Sequence, residues 1–410
     1  MNKNVIVGQS GGPTAVINSS LVGVFKTARD RGADKVYGML HGIQGLLDRQ
    51  YVDLSEHIKS DLDIDLLKRT PSSFLGSCRY KLPTIEEGRA IYEQIFALLE
   101  ELEIGAFFYI GGNDSMDTIK KLSDYANLID SDIKFMGVPK TIDNDLAATD
   151  HTPGYGSAAK YIGTSVKEII RDGFCLEYSN GVVTIVEIMG RNAGWLTGAA
   201  ALAKGEDCPG PDLIYLPEHD FDTEDFLRRV KELAETKKTV VVAVSESLKT
   251  KGGGYLCEEN LKDAKEDAFG HKIFTGSALY LADLVKDKLG IKSRGIVLNT
   301  VQRCAAHISS LCDINEAFGA GETAINLAEE GHTGEMVIFS RKSDAPYKME
   351  YATYDVSKVA NEVRTVPDEW IINDGTYVSE EFINYCRPLI MGELMPVIEN
   401  GLPKHITLKK

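Results

Sequence analysis

Short runs of β-branched and aromatic residues recur along this chain, and longer stretches with helical spacing separate them. In the first third of the sequence the apolar runs are Val5–Val7, Val36–Met39, Phe107–Ile110 and Phe135–Val138. Helical stretches run from Ala15 to Arg31 and from Ile85 to Leu102. Continuous apolar strands that alternate with helices are typical of parallel sheets covered on both faces. The pattern therefore predicts an α/β fold.

The alternation starts again near residue 147. Its apolar runs are Val182–Ile188, Leu213–Leu216, Thr239–Val244 and Ser293–Leu298. A chain of 410 residues is long enough for two or three domains, and a helical stretch from Ala317 to Glu330 is placed to return it to the first unit. We predict two Rossmann-like three-layer domains with mostly parallel sheets. The first comprises residues 1–146 plus about 302–360, and the second residues 147–301 plus about 361–410.

The net charge and the cysteine content limit which partners and which cell compartment this protein can have. The formal net charge of −16 argues against nucleic-acid or anionic-membrane partners. Seven scattered cysteines without a C-x-x-C pair indicate reduced thiols in a cytoplasmic protein. We expect no signal peptide and no membrane span, because an apolar strand begins within the first residues and no apolar run is long enough to cross a bilayer.

Two polar loops follow predicted strands of the first domain. Pro139–Asp145 reads Pro-Lys-Thr-Ile-Asp-Asn-Asp, and Gly111–Ser115 reads Gly-Gly-Asn-Asp-Ser. Ligands of open α/β sheets bind outside the carboxyl ends of strands, so the two loops should converge on one crevice. Their residues suggest phosphoryl transfer, with Asp143 as base, Lys140 as charge stabiliser and Asn113 or Asp145 near a metal ion.

A glycine-rich segment, Gly8–Pro13, follows the first apolar run and opens the first helical stretch. Backbone N–H groups at such a turn can hold a phosphate, although a simple tight turn would explain the same glycines. The segment matches neither G-x-G-x-x-G nor G-x-x-x-x-G-K-[ST]. A dehydrogenase and a P-loop ATPase are therefore both disfavoured.

Further motifs extend this series through most of the chain. In order they are Gly11-Gly12, Leu75–Arg79, Gly111–Ser115, Pro139–Asp145, Met189-Gly-Arg191, Glu246 and Gln302-Arg303. The series resembles the phosphofructokinase family and implies its fold. Two positions in that family separate users of ATP from users of inorganic pyrophosphate. Where the ATP enzymes have glycines, this chain has Asp114 and Lys140.

Elementary electrostatics agrees with the family rule. A carboxylate at Asp114 would face the α-phosphate of a nucleotide, and two anions about 4 Å apart repel by roughly 4 kcal/mol at an effective dielectric constant near 20. Pyrophosphate has no α-phosphate and avoids this repulsion. Lys140 adds positive charge where the bridging bond breaks. The resemblance therefore implies the pyrophosphate-dependent branch.

The resemblance implies reversible transfer of a phosphoryl group from pyrophosphate to the 1-hydroxyl of fructose 6-phosphate, a glycolytic reaction. Asp143 would take the hydroxyl proton, Thr141 would position the sugar or the transferred group, and Arg191 would stabilise the transition state. A Mg²⁺ ion would bridge the phosphates near Asn113 and Asp145, largely through water. Asn113 stands where the ATP enzymes have aspartate.

Binding residues also follow from the resemblance. The donor would contact Gly12, Arg79, Gly112 and Asp114, and the sugar phosphate would contact Thr141, Asp143, Met189, Gly190, Arg191, Glu246, Arg294 and Arg303. In the family the arginine at Arg294 reaches in from a neighbouring subunit, which implies a homodimer or homotetramer. Other cationic contacts of the bacterial ATP enzymes are replaced here by Val182 and Thr300. The candidate substitutes are His271, Lys272 and His307.

Two alternatives remain open at this point. One is an ATP-dependent 6-phosphofructokinase or sedoheptulose 7-phosphate kinase of the same fold. The other is a phosphosugar-binding regulator without catalytic activity. The presence of Lys140, Asp143 and Arg191 argues against the regulator, because a binding protein needs no base.

Overall fold

Two open sheets organise the part of the chain that the structure describes, which is residues 3–175, 181–256, 276–359 and 362–408 of a computed structural model. The first sheet takes five of its strands from the N-terminal part of the chain: β1 (Asn4–Gln9), β2 (Val36–Met39), β3 (Tyr51–Asp53), β4 (Ile104–Gly111) and β5 (Lys134–Pro139). Their order is β5-β4-β1-β2-β3, and all pairs are parallel except β2 with β3. The accompanying helices are α1 (Ile17–Asp30), α2 (Gly42–Leu47), α3 (Asp61–Arg69), α4 (Ile85–Glu101) and α5 (Asn113–Leu128).

Alternation along the central strands buries both faces of this sheet. On β1, Val5 and Val7 belong to the hydrophobic cluster that includes α1, whereas Ile6 belongs to the cluster that includes α4 and α5. Successive side chains of a strand point to opposite faces, so continuous apolar runs produce a sheet between two helical layers. The predicted three-layer arrangement is confirmed for this sheet.

The second sheet contains β6 (Val182–Ile188), β7 (Leu213–Tyr215), β8 (Thr239–Ser245) and β9 (Lys292–Val297). Its order is β7-β8-β6-β9, and every pair is parallel. The helices in this region are α6 (Tyr155–Phe174), α7 (Trp195–Gly198), α8 (Thr223–Thr236) and α9 (Ser277–Leu289). All four strands lie within one residue of their predicted positions, which confirms the fold class.

The chain then returns to the first sheet. Helix α10 (Leu311–Glu329) begins earlier than the predicted Ala317, because the side chain of Ser310 accepts a hydrogen bond from the Asp313 N–H and starts the helix there. A hairpin follows, β10 (Glu335–Asp344) with β11 (Tyr347–Asp355), and β10 pairs parallel with β5. The chain continues to α11 (Glu380–Cys386). Among the described residues, no helix is long and apolar enough to span a membrane.

The predicted boundary of the first glycine loop was wrong by two residues. Strand β1 continues through Gly8 and Gln9, and α1 begins only at Ile17. Gly8 packs under its neighbours so closely that an added Cβ would lie 2.4 Å from the Met39 Cε atom. This glycine therefore serves the packing of the strand, and the loop starts at Ser10.

Candidate active site

A cavity of about 220 Å³ lies where the loops after five parallel strands meet. The loops after β1, β4 and β5 line it from the first sheet, and the loops after β6 and β8 line it from the second. Most of the predicted site residues are among its lining: Gly12, Arg79, Gly112, Asn113, Asp114, Lys140, Thr141, Asp143, Asp145, Met189, Arg191, Glu246 and Arg303. The expectation that the two polar loops converge is confirmed.

Lys140 is the buried cation of this cavity. Its side chain is only 3 % exposed, and Nζ donates a hydrogen bond to the Gly12 carbonyl oxygen at 2.6 Å. Burial lowers the pKa of Lys140 to about 8, although Asp143 and Asp145 act in the opposite direction. A lysine in this state is still largely charged at neutral pH, and little water competes for its charge.

Asp143 and Asp145 form a carboxylate pair on the same turn. Burial raises the pKa of Asp143, and the charges of Arg191, Lys140 and Arg303 oppose that rise. Burial and the neighbouring Asp143 raise the pKa of Asp145 to about 7. Two carboxylates that share a buried site resist simultaneous ionisation, so protons are easily held there.

Thr141 and Asp143 are joined within this turn. The Asp143 N–H donates to the Thr141 Oγ1 atom at 3.1 Å. The backbone of Thr141 is fixed in turn, because the Thr152 hydroxyl donates to its carbonyl oxygen at 2.9 Å. The Thr141 hydroxyl proton is left to donate to a ligand in the cavity.

The N-terminus of α5 also lies at the cavity. Gly112 precedes the helix, and Asn113 and Asp114 form its first turn. The positive end of a helix dipole favours bound anions. The Asn113 Oδ1 atom is buried and has no hydrogen-bond partner among the residues that the structure describes. An oxygen of this kind is suited to a donor or cation that the protein itself does not supply.

The loop after β6 is held by residues around the end of β8. Gly190 adopts a φ of 136°, which favours glycine, and its N–H donates to the Glu246 Oε1 atom at 3.3 Å. The hydroxyls of Ser245 and Ser247 donate to the Gly190 carbonyl oxygen at 3.0 and 2.8 Å. Sequence reasoning assigned no role to either serine, although both flank the predicted Glu246. Burial, with a contribution from Asp143, raises the pKa of Glu246 to about 8.

Gln302 and Arg303 approach the site together on a short 3-10 helix. The Gln302 Oε1 atom accepts a hydrogen bond from the Met189 N–H at 3.1 Å, a positioning contact that the sequence did not reveal. The Arg303 Nη1 atom lies 3.5 Å from where a Cβ on Gly12 would stand. The Arg303 Nε atom is buried without a hydrogen-bond partner among the described residues. Arg303 is therefore close to the loop after β1 as well as to Asp143.

Arg294 does not line this cavity. It lies on β9, where its Nε atom donates to the Thr184 hydroxyl at 3.3 Å and its Nη2 atom is 3.8 Å from the Asp172 carboxylate. Its side chain is 44 % exposed. Among the candidate substitutes, His307 is exposed and lies outside the cavity lining. The other two, His271 and Lys272, lie outside the described residues.

Parallel sheets with cationic and carboxylate side chains gathered at the carboxyl ends of their strands are typical of phosphoryl-transfer enzymes. Residues 4–328 match the protein family described as Phosphofructokinase, and this chain belongs to that family. It is 40% identical over 410 residues to the pyrophosphate–fructose 6-phosphate 1-phosphotransferase of Halomonas elongata, with 99% of this chain and 96% of the relative covered. It is 39% identical over 409 residues to the enzyme of the same name from Methylococcus capsulatus, with the same coverage. A solved structure, the pyrophosphate-dependent phosphofructokinase of Nitrosospira multiformis, is 36% identical with a TM-score of 0.89 and covers 99% of this chain and 96% of its own.

Proposed function

We propose that this chain is a pyrophosphate-dependent phosphofructokinase. It transfers a phosphoryl group from inorganic pyrophosphate to the 1-hydroxyl of fructose 6-phosphate, giving fructose 1,6-bisphosphate and phosphate. The observation that carries this proposal is the buried Lys140 ammonium, which stands with Asp114 at the positions that distinguish the pyrophosphate branch of the family. The full-length relatives that bear the name of this activity support it.

We assign donor binding to the loops of the first sheet. Gly12 and Gly112 offer backbone groups beside the N-terminus of α5, and Arg79 and Lys140 supply positive charge. Asp114 is exposed at the mouth of this region, where it would repel the α-phosphate of a nucleotide. Pyrophosphate fits this arrangement because it brings only two phosphates.

The acceptor chemistry is assigned to Asp143. Its raised pKa brings the carboxylate closer to the range in which a general base is effective at neutral pH. Asp143 accepts the proton of the sugar 1-hydroxyl as that oxygen attacks the terminal phosphorus, and Thr141 orients the reacting group through its hydroxyl. Lys140 and Arg191 stabilise the negative charge that is released on the phosphate leaving group.

The site residues fit a magnesium ion. Asn113 contributes a buried oxygen that lacks a partner among the described residues, and Asp145 contributes a carboxylate at the same cavity. Amide and carboxylate oxygens are ligands that Mg²⁺ accepts, and the ion keeps several waters and takes other oxygens from substrate phosphates. When bound, Mg²⁺ would neutralise phosphate charge in this reaction.

We assign the sugar phosphate to the loops of the second sheet. Met189, Gly190 and Glu246 would bind sugar hydroxyls, and Arg303 would contribute to binding the 6-phosphate. Arg294 would complete the phosphate site from a neighbouring subunit, since it lies outside the cavity of its own chain and is partly exposed. This assignment makes the enzyme a homodimer or homotetramer.

Two further proposals concern organisation and location. Residues 1–146 with about 302–360 would form the donor domain, which includes β10 and β11 of the first sheet. Residues 147–301 with about 361–410 would form the sugar domain. A cytoplasmic location is supported by the six described cysteines, which are free thiols.

Phosphorus NMR of a reaction mixture tests the function. Purified protein, fructose 6-phosphate, Mg²⁺ and pyrophosphate should give equal amounts of new 1-phosphate ester and inorganic phosphate. The reverse reaction should regenerate pyrophosphate from fructose 1,6-bisphosphate and phosphate. Failure to form the 1-phosphate, or turnover of sedoheptulose 7-phosphate alone, would refute the assignment.

A further inference from the structure

The residue between the two active-site carboxylates has an unusual backbone conformation. Asn144 is fully buried and adopts a φ of 56° in the left-handed region. Asparagine tolerates this region better than most residues, but surrounding contacts must still hold it there. The turn at Asn144 sets the direction of both Asp143 and Asp145, because one flanks it on each side.

Tyr385 supplies a central contact to this turn. The Asn144 Nδ2 atom donates to the Tyr385 hydroxyl oxygen at 2.8 Å, and the Tyr385 hydroxyl donates to the Asp150 carbonyl oxygen at 2.7 Å. The Asn144 Oδ1 atom accepts from the Thr152 N–H at 3.1 Å. Both polar atoms of the Asn144 side-chain amide are thus hydrogen-bonded, and Tyr385 is the partner of the nitrogen.

Tyr385 is itself rigidly anchored on α11. Its ring lies 5.2 Å from that of Trp195 and 5.5 Å from that of Trp370, measured between centroids. The Arg341 guanidinium lies 4.5 Å from the centre of the ring. Tyr385 does not line the cavity, so any effect on the reaction is indirect, and its hydroxyl contacts the turn through Asn144.

A second residue from the same C-terminal region reinforces the turn. The backbone N–H of Arg364 donates to the Asp145 carbonyl oxygen at 2.9 Å. Its guanidinium is 3.4 Å from the Tyr385 hydroxyl and stacks 4.2 Å from the Trp195 ring. The backbone on both sides of Asn144 is therefore attached to one packed aromatic cluster.

We propose that Tyr385 is a positioning residue, whose hydroxyl holds the Asn144 amide and so keeps Asp143 and Asp145 directed into the cavity. The inference rests on the proposed phosphoryl transfer, since that reaction needs the two carboxylates. It goes further in assigning a role in the reaction to a buried side chain of the C-terminal segment. Catalysis is sensitive to small displacements of a base, so loosening this turn should slow turnover more than it weakens binding.

The test compares two buried tyrosines. Tyr385→Phe removes the hydroxyl that contacts the turn. Tyr155→Phe removes a hydroxyl from the same aromatic cluster, which contacts the Trp195 carbonyl oxygen at 3.1 Å and the Cys386 Sγ atom at 3.0 Å. Wild type is assayed first with pyrophosphate and fructose 6-phosphate. An inactive wild type would refute the proposed function, whereas an active one permits the comparison.

We expect Tyr385→Phe to lower kcat about tenfold or more, with KM for both substrates changed less than about twofold. Tyr155→Phe should leave kcat within about twofold even where its loss of thermal stability is similar. If the two variants lose kcat equally, or Tyr385→Phe retains the wild-type value, the inference is wrong.

Asn144→Gly provides a second route that does not depend on the tyrosine variant alone. Glycine accepts the left-handed φ but has no side-chain amide to bond with the Tyr385 hydroxyl. Asn144→Gly should lower kcat by itself, and adding Tyr385→Phe should lower it by less than about a further twofold. Equal effects of Tyr385→Phe in both backgrounds would show that the tyrosine does not act through Asn144.

Discussion

The Lys140 ammonium donates a hydrogen bond to the Gly12 carbonyl oxygen at 2.6 Å and thereby links the loop after β5 to the loop after β1. The lysine is held by protein atoms on one side and by the electrostatic attraction of Asp143 and Asp145 on the other. Its charge is thus fixed between the loop after β1 and the two carboxylates. A fixed, poorly hydrated charge stabilises a transition state more effectively than a mobile surface lysine would.

The first prediction concerns the choice of donor. Replacing Asp114 and Lys140 together by glycine removes the repulsion of a nucleotide and the charge that binds pyrophosphate. The value of kcat/KM for pyrophosphate should fall at least about a hundredfold, and weak activity with ATP should become measurable. Steady-state kinetics with both donors provides the measurement.

The control for this variant is the double change Asp117→Ala and Lys121→Ala. These residues form an ion pair on α5, with the Lys121 Nζ atom 2.6 Å from the Asp117 carboxylate, and they do not line the cavity. The kcat/KM values of this control variant for pyrophosphate and for ATP should equal those of wild type. Retention of pyrophosphate activity by the glycine variant would refute the donor argument.

The second prediction concerns the base. Asp143→Asn preserves the shape of the side chain but cannot accept the proton, so kcat should fall at least about a hundredfold. Dissociation constants for fructose 6-phosphate, measured by calorimetry, should change little. Asp124→Asn removes an exposed carboxylate of α5 that pairs with Lys120 and should be neutral. Joint loss of binding and turnover would instead indicate a positioning or metal-binding role for Asp143.

The third prediction concerns the neighbouring subunit. Asp143→Asn and Arg294→Ala subunits should each be inactive alone, and mixing them should restore part of the activity. A hybrid interface can assemble one site with both wild-type residues if Arg294 reaches across it. The measurement is activity after subunit exchange that mass spectrometry has verified. Absence of complementation despite exchange would place Arg294 in its own subunit's site or outside the site.

The fourth prediction concerns stability and pH. His151 is 2 % exposed and contacts Asp150 through Nδ1 at 2.8 Å and Glu316 through Nε2 at 2.7 Å. Burial alone would lower the pKa of His151, but the two carboxylates outweigh it and raise the pKa above 6.5. The charged histidine therefore stabilises the fold below about pH 6.5, and this contribution is lost as pH rises through the folded-state pKa.

Denaturant unfolding at pH 6 and pH 9 measures this effect. Wild type should lose more unfolding free energy between the two values than His151→Gln does, because glutamine cannot carry the charge. His307→Gln changes an exposed histidine and should follow wild type. The account of His151 would be contradicted by parallel losses in wild type and His151→Gln.

The central strands could be predicted because each is marked in the sequence by a short continuous run of apolar residues. Val36–Met39 is a strand with the predicted limits, since both its length and its apolar character are visible in the sequence. The hairpin of β10 and β11 was not predicted. Strand β11 lies at the edge of the sheet, and five of its nine residues are exposed. In β10 the apolar run Met336–Phe339 is only four residues long and polar residues follow it.

The same distinction applies to the site. The loops around Gly112 and Lys140 could be brought together from sequence, because carboxyl ends of parallel strands share one edge of a sheet. Contacts between distant segments could not be inferred in this way. Tyr385 meets Asn144 across 241 positions, and Gln302 meets Met189 across 113. Such pairs depend on the packing of whole domains.

The most direct test of the central claim is a donor comparison with purified wild-type protein. Formation of fructose 1,6-bisphosphate is followed with saturating fructose 6-phosphate and Mg²⁺, and kcat/KM is determined for pyrophosphate and for ATP. The account predicts a value for pyrophosphate at least about a hundredfold above that for ATP, because Asp114 repels the nucleotide and Lys140 favours the smaller anion. Equal or faster reaction with ATP would contradict it.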